Sequence, residues 1–240
     1  MFSKITQSPA LVRVVPFAIF LALTFLQDRF GEQPRYWIYV AKTLAGAAML
    51  AVVWRHIVEL EWRFSWEAIV LGVAVFALWV GLDGWYPSLD LLYSKCICPL
   101  LQKTGLVGSC APAVAPPSWN PHGAFGSTLA WFFVIARIVG STFVVPPLEE
   151  LFYRSFVYRY LASKDFLSVP LEKFLPTPFI VTSVLFGFAH REWLAGILCG
   201  FAYHGLVIWK KRLGDAVTAH AITNLLLGLW IVWRGAWQFW

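Results

Sequence analysis

The feature that most constrains this chain is a succession of apolar runs, each close to the length needed to cross a bilayer. A spanning helix takes about 20 mostly apolar residues. Such runs occupy roughly residues 9–27, 36–54, 67–83, 127–146, 178–190, 193–209 and 215–236. The stretch 148–162 carries too many charges to face lipid and reads as a helix buried among the others. Hydrocarbon leaves every backbone N–H and C=O to be satisfied within the protein, which favours helices. The expected fold class is therefore all-α, a polytopic membrane helix bundle of about eight helices. It reads as a single membrane domain over 1–240, with N-terminal helices and a loop in 1–126 and a second, more polar-marked part in 127–236.

Composition agrees. Residues of the AVILMFWYC group make up 59% and charged residues 13%, about half the usual ~25%. So few charges could not cover so much apolar surface in water. Many of the 14 Trp residues fall at the ends of apolar runs, where an indole keeps its body in lipid and its N–H wet. The net charge of +6 is dispersed in short groups such as Lys210-Lys211-Arg212. That pattern suits lipid headgroups and the setting of topology, and it excludes nucleic acid as a partner. The N-terminal run lacks a small-residue cleavage site and reads as the first membrane helix.

The longest break, about 84–126, is rich in Pro, Gly, Ser and Cys and includes Pro116-Pro117. Leu89 to Leu101 reads as a short interfacial helix. Cys96 or Cys98 could pair with Cys110 if this loop faces an oxidising compartment, and plain thiols are the alternative. If all eight helices cross, the loops holding Arg29/Arg35, Lys95/Lys103, Lys164/Lys173 and Lys210–Arg212 share one side, which the positive-inside rule makes cytoplasmic.

An ionisable group at the bilayer centre costs about 2.5–3.5 kcal/mol on insertion scales and survives by pairing or by lining a cavity. Those inside the apolar runs are Lys42, Arg137, Glu149, Glu150, Arg154, His190, His204 and His220, with Asn224. In Pro146-Pro147-Leu148-Glu149-Glu150, the prolines are expected to stop one helix and start another, placing both acids in a first turn. Glu150 and Arg154 are four apart in the favourable order. Glu149, about 100° around the helix, lacks that counter-charge. Glu150 would then be held ionised while Glu149 is free to act as a general base. Phe186 and His190 are again four apart, with Gly187 and Ala189 letting another backbone approach. His220 and Asn224 repeat the spacing, and the amide could orient an imidazole, donate to an oxyanion or bond across helices. Each group alone also reads as a cap, a satisfied histidine or an interhelical tie. Together they could converge on one wet cavity that activates water against a peptide carbonyl.

Glu149-Glu150-x-x-x-Arg154, Phe186-x-x-x-His190 and His220-x-x-x-Asn224, in this order and with Gly196, Gly200 and Leu213-Gly214-Asp215, resemble the CPBP family of intramembrane proteases. That family holds the type II CAAX prenyl endopeptidases and bacteriocin-processing relatives. The resemblance covers about residues 127–236, which it makes a CPBP-like catalytic core. It implies a helical membrane fold and hydrolysis of a membrane-associated protein or peptide. It further implies that Glu149 activates water, that His190 and His220 position it or polarise the carbonyl, and that Asn224 helps hold the oxyanion. Glu150, Arg154 and Phe186 carry over as supporting residues. The expected cofactor is none. If a metal were present, zinc on Glu149, His190 and His220 would be the arrangement. Residues 79–87, Trp79 to Pro87, together with Arg137, look like an exosortase-associated bacterial branch, which implies a bacterial inner membrane and a substrate that need not be prenylated.

Other chemistries fit less well. The sequence lacks the His-Glu-x-x-His of zinc intramembrane proteases, and Arg212-Leu213-Gly214-Asp215 lacks the first Gly of a Gly-x-Gly-Asp site. It also lacks a convincing Gly-x-Ser nucleophile. A non-catalytic scaffold or chaperone on the same fold is the main rival. A proton-coupled transporter is the next, but it would be expected to show paired repeats with broken helices, which this sequence lacks. His204 is taken as structural.

Overall fold

The computed structural model describes residues 2–110 and 118–240. Pro116-Pro117 therefore lie outside the described residues. Among those described there are nine helices and no strand. They are α1 (Phe2–Gln7), α2 (Pro9–Gln27), α3 (Glu32–Val53), α4 (Trp66–Gly81), α5 (residues 89–103), α6 (Ser127–Ala162), α7 (Pro176–Phe188), α8 (Trp193–Lys210) and α9 (Leu213–Arg234). Helices α2, α3, α6, α8 and α9 are long and apolar enough to cross a membrane, and α4 and α7 are shorter apolar helices. Phe25, Leu44, Ile135, Phe143 and Trp233 stand exposed around the bundle. Such a surface belongs in lipid, and the protein is an integral membrane protein of helical bundle type.

The expectation that Pro146-Pro147 break the chain into two helices is wrong. Residues 127–146 and 148–162 belong to the single 36-residue helix α6. The helix absorbs the prolines by widening, with π turns at Gly140–Val144 and Leu151–Val157. A proline supplies no N–H, so carbonyls one turn back need other donors. Asn224 of α9 supplies one, donating from Nδ2 to Ser141 O at 2.8 Å. Separately, Tyr39 of α3 donates to Arg137 O at 3.2 Å, a carbonyl that also accepts from Gly140 N. Glu149 and Glu150 are thus mid-helix, and the argument from a helix N-terminus does not apply to them.

The merger leaves seven apolar helices and redistributes the loops. At one end, Arg13 and Arg159 both reach Glu59, Leu213 N donates to Glu59 O, and Gly214 packs so close to Glu61 O that a Cβ would lie 2.1 Å from it. At the other, Trp119 packs on Trp240, Trp193 Nε1 donates to Pro87 O, and Arg191 faces Asp90. The basic groups expected on a single side therefore divide. Lys173 and Lys211–Arg212 lie at the first end, and Lys95 and Lys103 at the second with the disulfide Cys98–Cys110. Cys96 is free and exposed.

Small residues set the helix spacing around the later site. Gly200 of α8 sits where a Cβ would come within 2.9 Å of Ser183 Cα on α7, and one on Gly187 would meet Ile197 N at 2.6 Å. Gly72 brings α4 against α9, with Ala219 O only 2.6 Å from where its Cβ would be. One buried cluster then runs from Val12 and Phe17 in α2 through Leu148 to Tyr203 and Ala219.

Glu59 ties α2, α6 and the 57–65 loop together, accepting from Arg13, Arg159 and Ser155. Burial by itself raises its pKa, but the Arg13 charge and the hydrogen bonds outweigh that and hold it below the ordinary 4.5. A depressed carboxylate stabilises the fold above its unfolded pKa, and this contribution is lost as pH falls through the folded value. Glu59→Gln should lower stability at neutral pH by about 3 kcal/mol, the low end for breaking a buried pair. Below pH 4.5 the gap to wild type should shrink, as measured by thermal unfolding in detergent across pH.

Candidate active site

Four helices deliver the site. Helix α6 contributes Glu149, Glu150 and Arg154 from the border of its second π turn. Helix α7 ends at Phe188, so His190 lies in the turn just beyond it, where His190 N donates to Gly187 O at 2.9 Å. Helix α9 contributes His220 and Asn224, and α8 contributes Tyr203.

Glu150 and Arg154 are fully buried, with Arg154 Nε 3.1 Å from Glu150 Oε2. This approach is an ion pair rather than an aligned hydrogen bond. Arg154 also donates to Gly200 O and lies over the Phe186 ring at 4.2 Å. The other oxygen of Glu150 faces His220 Nδ1 at 3.0 Å. With Nδ1–H donating to that carboxylate oxygen, the tautomer is the one whose Nε2 is turned toward the chamber. His190 follows the same logic by a different route. Its Nδ1 is 2.8 Å from Phe186 O, and a carbonyl also only accepts, so Nε2 is again the free acceptor.

Both free nitrogens face one atom. Glu149 Oε2 lies 4.0 Å from His190 Nε2 and 3.9 Å from His220 Nε2. That oxygen is buried and has no hydrogen-bond partner. The gaps exceed a hydrogen bond, but a water at about 2.8 Å from carboxylate and imidazole spans such a distance. Zinc shared by the three side chains would draw each oxygen–nitrogen pair to about 3.3 Å, from ~2.0 Å bonds at the tetrahedral angle. Among the described residues, no group of three or more His, Cys, Asp and Glu side chains is arranged to hold a metal ion. The spacing suits water better than zinc, and no step below passes through a metal.

The arrangement lines a chamber of about 320 Å³ that contains Glu149, His190, His220, Asn224, Phe186 and Tyr203. Every candidate from the three motifs thus lies in or beside one cavity. Asn224 is partly committed, since its amide already donates to Ser141 O. Nδ2 keeps a second hydrogen.

The sequence reading missed two aromatic residues that hold the imidazoles. Tyr203 stacks on His220 with centroids 5.0 Å apart and planes 19° apart, and its hydroxyl donates to Thr223. Trp79 of α4 stands edge-on to His190 at 5.6 Å. Trp79 had drawn attention only as part of a run resembling a bacterial branch. Nothing in the pattern of α8 marks Tyr203, because its role depends on the crossing of α8 and α9. The reading of His204 as structural matches its position, wedged between the rings of Tyr158 and Phe179 and away from the chamber lining.

A helical membrane protein whose chamber sets a carboxylate against two imidazoles carries the groups that an intramembrane hydrolase uses. More narrowly, residues 123–226 match the family model described as type II CAAX prenyl endopeptidase, Rce1-like. That family is a family of proteases. The matched segment contains Glu149, Glu150, Arg154, Phe186, His190, His220 and Asn224, while Trp79 lies outside it. No curated protein and no solved structure matches the chain.

Glu150→Gln should leave the Arg154 guanidinium buried without its counter-charge. The expected loss is about 3–5 kcal/mol, read as a lowered unfolding midpoint in detergent. A milder variant, Tyr203→Phe, should keep the His220 stack and remain close to wild type.

Proposed function

We propose that this protein is an intramembrane endopeptidase that hydrolyses a peptide bond of a membrane-associated substrate, with Glu149 as the general base. The observation that carries this reading is the unpartnered Glu149 Oε2 facing the two Nε2 atoms at 4.0 and 3.9 Å. A water in that gap gives one hydrogen to Glu149 and another to an imidazole lone pair, which aims its oxygen lone pair into the chamber. As the water attacks a carbonyl, Glu149 takes its proton and later passes it to the leaving amine. Asn224 can offer its second Nδ2 hydrogen to the oxyanion. His190 and His220 orient the water, and Phe186, Glu150 and Arg154 fix the tautomers. No cofactor is needed for this sequence of steps.

The chamber continues into a mouth of about 400 Å³ lined by Arg191, Glu192, Trp119 and Trp240, at the end of the bundle that carries the disulfide. The opposite end gathers Arg63, Lys164, Lys173, Lys211 and Arg212. The positive-inside rule favours that basic end as cytoplasmic, and a disulfide favours an oxidising compartment for the other. On this reading the substrate enters from the non-cytoplasmic side. The resemblance of residues 79–87 to the exosortase-associated branch supports a bacterial inner membrane as the location.

Membrane fractions from cells carrying wild-type protein or Glu149→Gln should differ in peptides with new C-termini, as read by terminal proteomics. Loss of the base should lower turnover by about 10²–10⁴-fold while the variant stays folded. Chelators should leave wild-type activity intact. Identical peptide termini in the two strains would reject the peptidase reading.

A further inference from the structure

Two cations line the chamber that the chemistry above does not use. Lys42 comes from α3 and Arg137 from α6. Lys42 lies outside the segment that matches the protease family. Its side chain is 5% exposed. The ammonium donates to Thr24 Oγ1 at 3.0 Å and lies 4.9 Å from the ring centres of Phe20 and Tyr39. Arg137 sits among Tyr39, Trp119 and Trp240, its guanidinium carbon 4.9, 4.4 and 5.4 Å from their ring centres. Among the described residues neither cation forms an ion pair, and no hydrogen bond is made by the Arg137 guanidinium. Asp28 lines the mouth with them and its charge acts on both from a distance, but it is exposed and forms an ion pair with neither.

Three buried arginines elsewhere in the bundle are satisfied differently. Arg13, Arg154 and Arg159 each pair with a glutamate. Aromatic faces soften the burial of a cation without neutralising it. They leave the N–H groups of Arg137 and two hydrogens of Lys42 unspent, facing a cavity that also holds Glu149. A cation in that state is matched by an anion from outside the chain, and a planar fork beside an ammonium suits a carboxylate.

We propose that Lys42 and Arg137 form a carboxylate-binding subsite that anchors the peptide substrate in the chamber, across from Glu149. This rests on the peptidase reading for the identity of the ligand as a peptide. The carboxylate can be the substrate's C-terminal α-carboxylate or an acidic side chain near the cleaved bond. Either one, held by the two cations, sets which carbonyl reaches the water.

The test uses the full chain in nanodiscs with the probe N-acetyl-Ala-Val-Leu-Phe in three forms: free acid, C-terminal amide, and an amide in which Val is replaced by Asp. Binding is measured to the Glu149→Gln protein, so that cleavage does not enter. The free acid, the Asp-bearing amide or both should bind roughly tenfold or more tightly than the plain amide. Which form gains identifies the source of the carboxylate. Lys42→Met and Arg137→Gln should each erase that preference, bringing the carboxylate-bearing forms down to the level of the plain amide. Lys42→Arg and Arg137→Lys should retain it, which separates lost charge from lost folding. Equal binding of all three forms, or a preference that survives both neutral variants, overturns the subsite. Cleavage of the same probes by protein with Glu149 intact is scored separately. Cleavage without carboxylate preference sinks the subsite and leaves the peptidase, whereas preference without cleavage does the reverse.

Discussion

The site depends on one buried carboxylate, Glu150, shared between Arg154 and His220. The Arg154 guanidinium lies 3.1 Å from one of its oxygens. With that oxygen turned to arginine, the other accepts from His220 Nδ1 at 3.0 Å. One ion pair therefore fixes a tautomer on a different helix. Phe186 extends the effect by lying between Arg154 and His190 and giving its carbonyl to His190 Nδ1. Both imidazoles arrive with the same nitrogen spent and the same nitrogen free.

Helix α6 makes this possible by not breaking at Pro146-Pro147. An ordinary α-helix would have ended or kinked there. Two π turns instead carry the helix through, the Ser141 carbonyl one wide turn before Pro146 becomes an anchor point for Asn224, and Tyr39 adds a bond to Arg137 O just upstream. The irregular segment is thus the place where α3, α6 and α9 are tied, and it lies beside Glu149. Wide turns at such a position are costly in regular helix geometry and are found at functional sites for that reason.

The two ends of the bundle differ in kind. One is a lattice of paired charges around Glu59 that closes the bundle. The other is an aromatic mouth in which Trp119, Trp240 and Tyr39 surround an arginine without a counter-ion. The buried arginines around Glu59 are paired within the chain. The cations of the chamber are not, and that asymmetry separates the structural end from the end open to ligand.

Hydropathy alone determined that this is a helical membrane protein, because no soluble fold could cover so apolar a chain with so few charges. The costly residues were also legible one by one. Glu149, His190, His220 and Asn224 stood out because nothing in an apolar run explains them. The i,i+4 link of Glu150 to Arg154 could be read because it is local to one helix. Whatever depended on two helices meeting was hidden. Tyr203 and Trp79 look like ordinary apolar-helix aromatics until α8 and α4 bring them to the imidazoles. The prolines were misread because the donor that rescues the helix, Asn224, comes from α9, far away in the chain. Lys42 and Arg137 were noticed but given no role, since whether a buried cation is paired is a matter of which carboxylates approach it in space. Local spacing sets what each helix carries; only their packing decides which of those groups are satisfied and which are left facing the cavity.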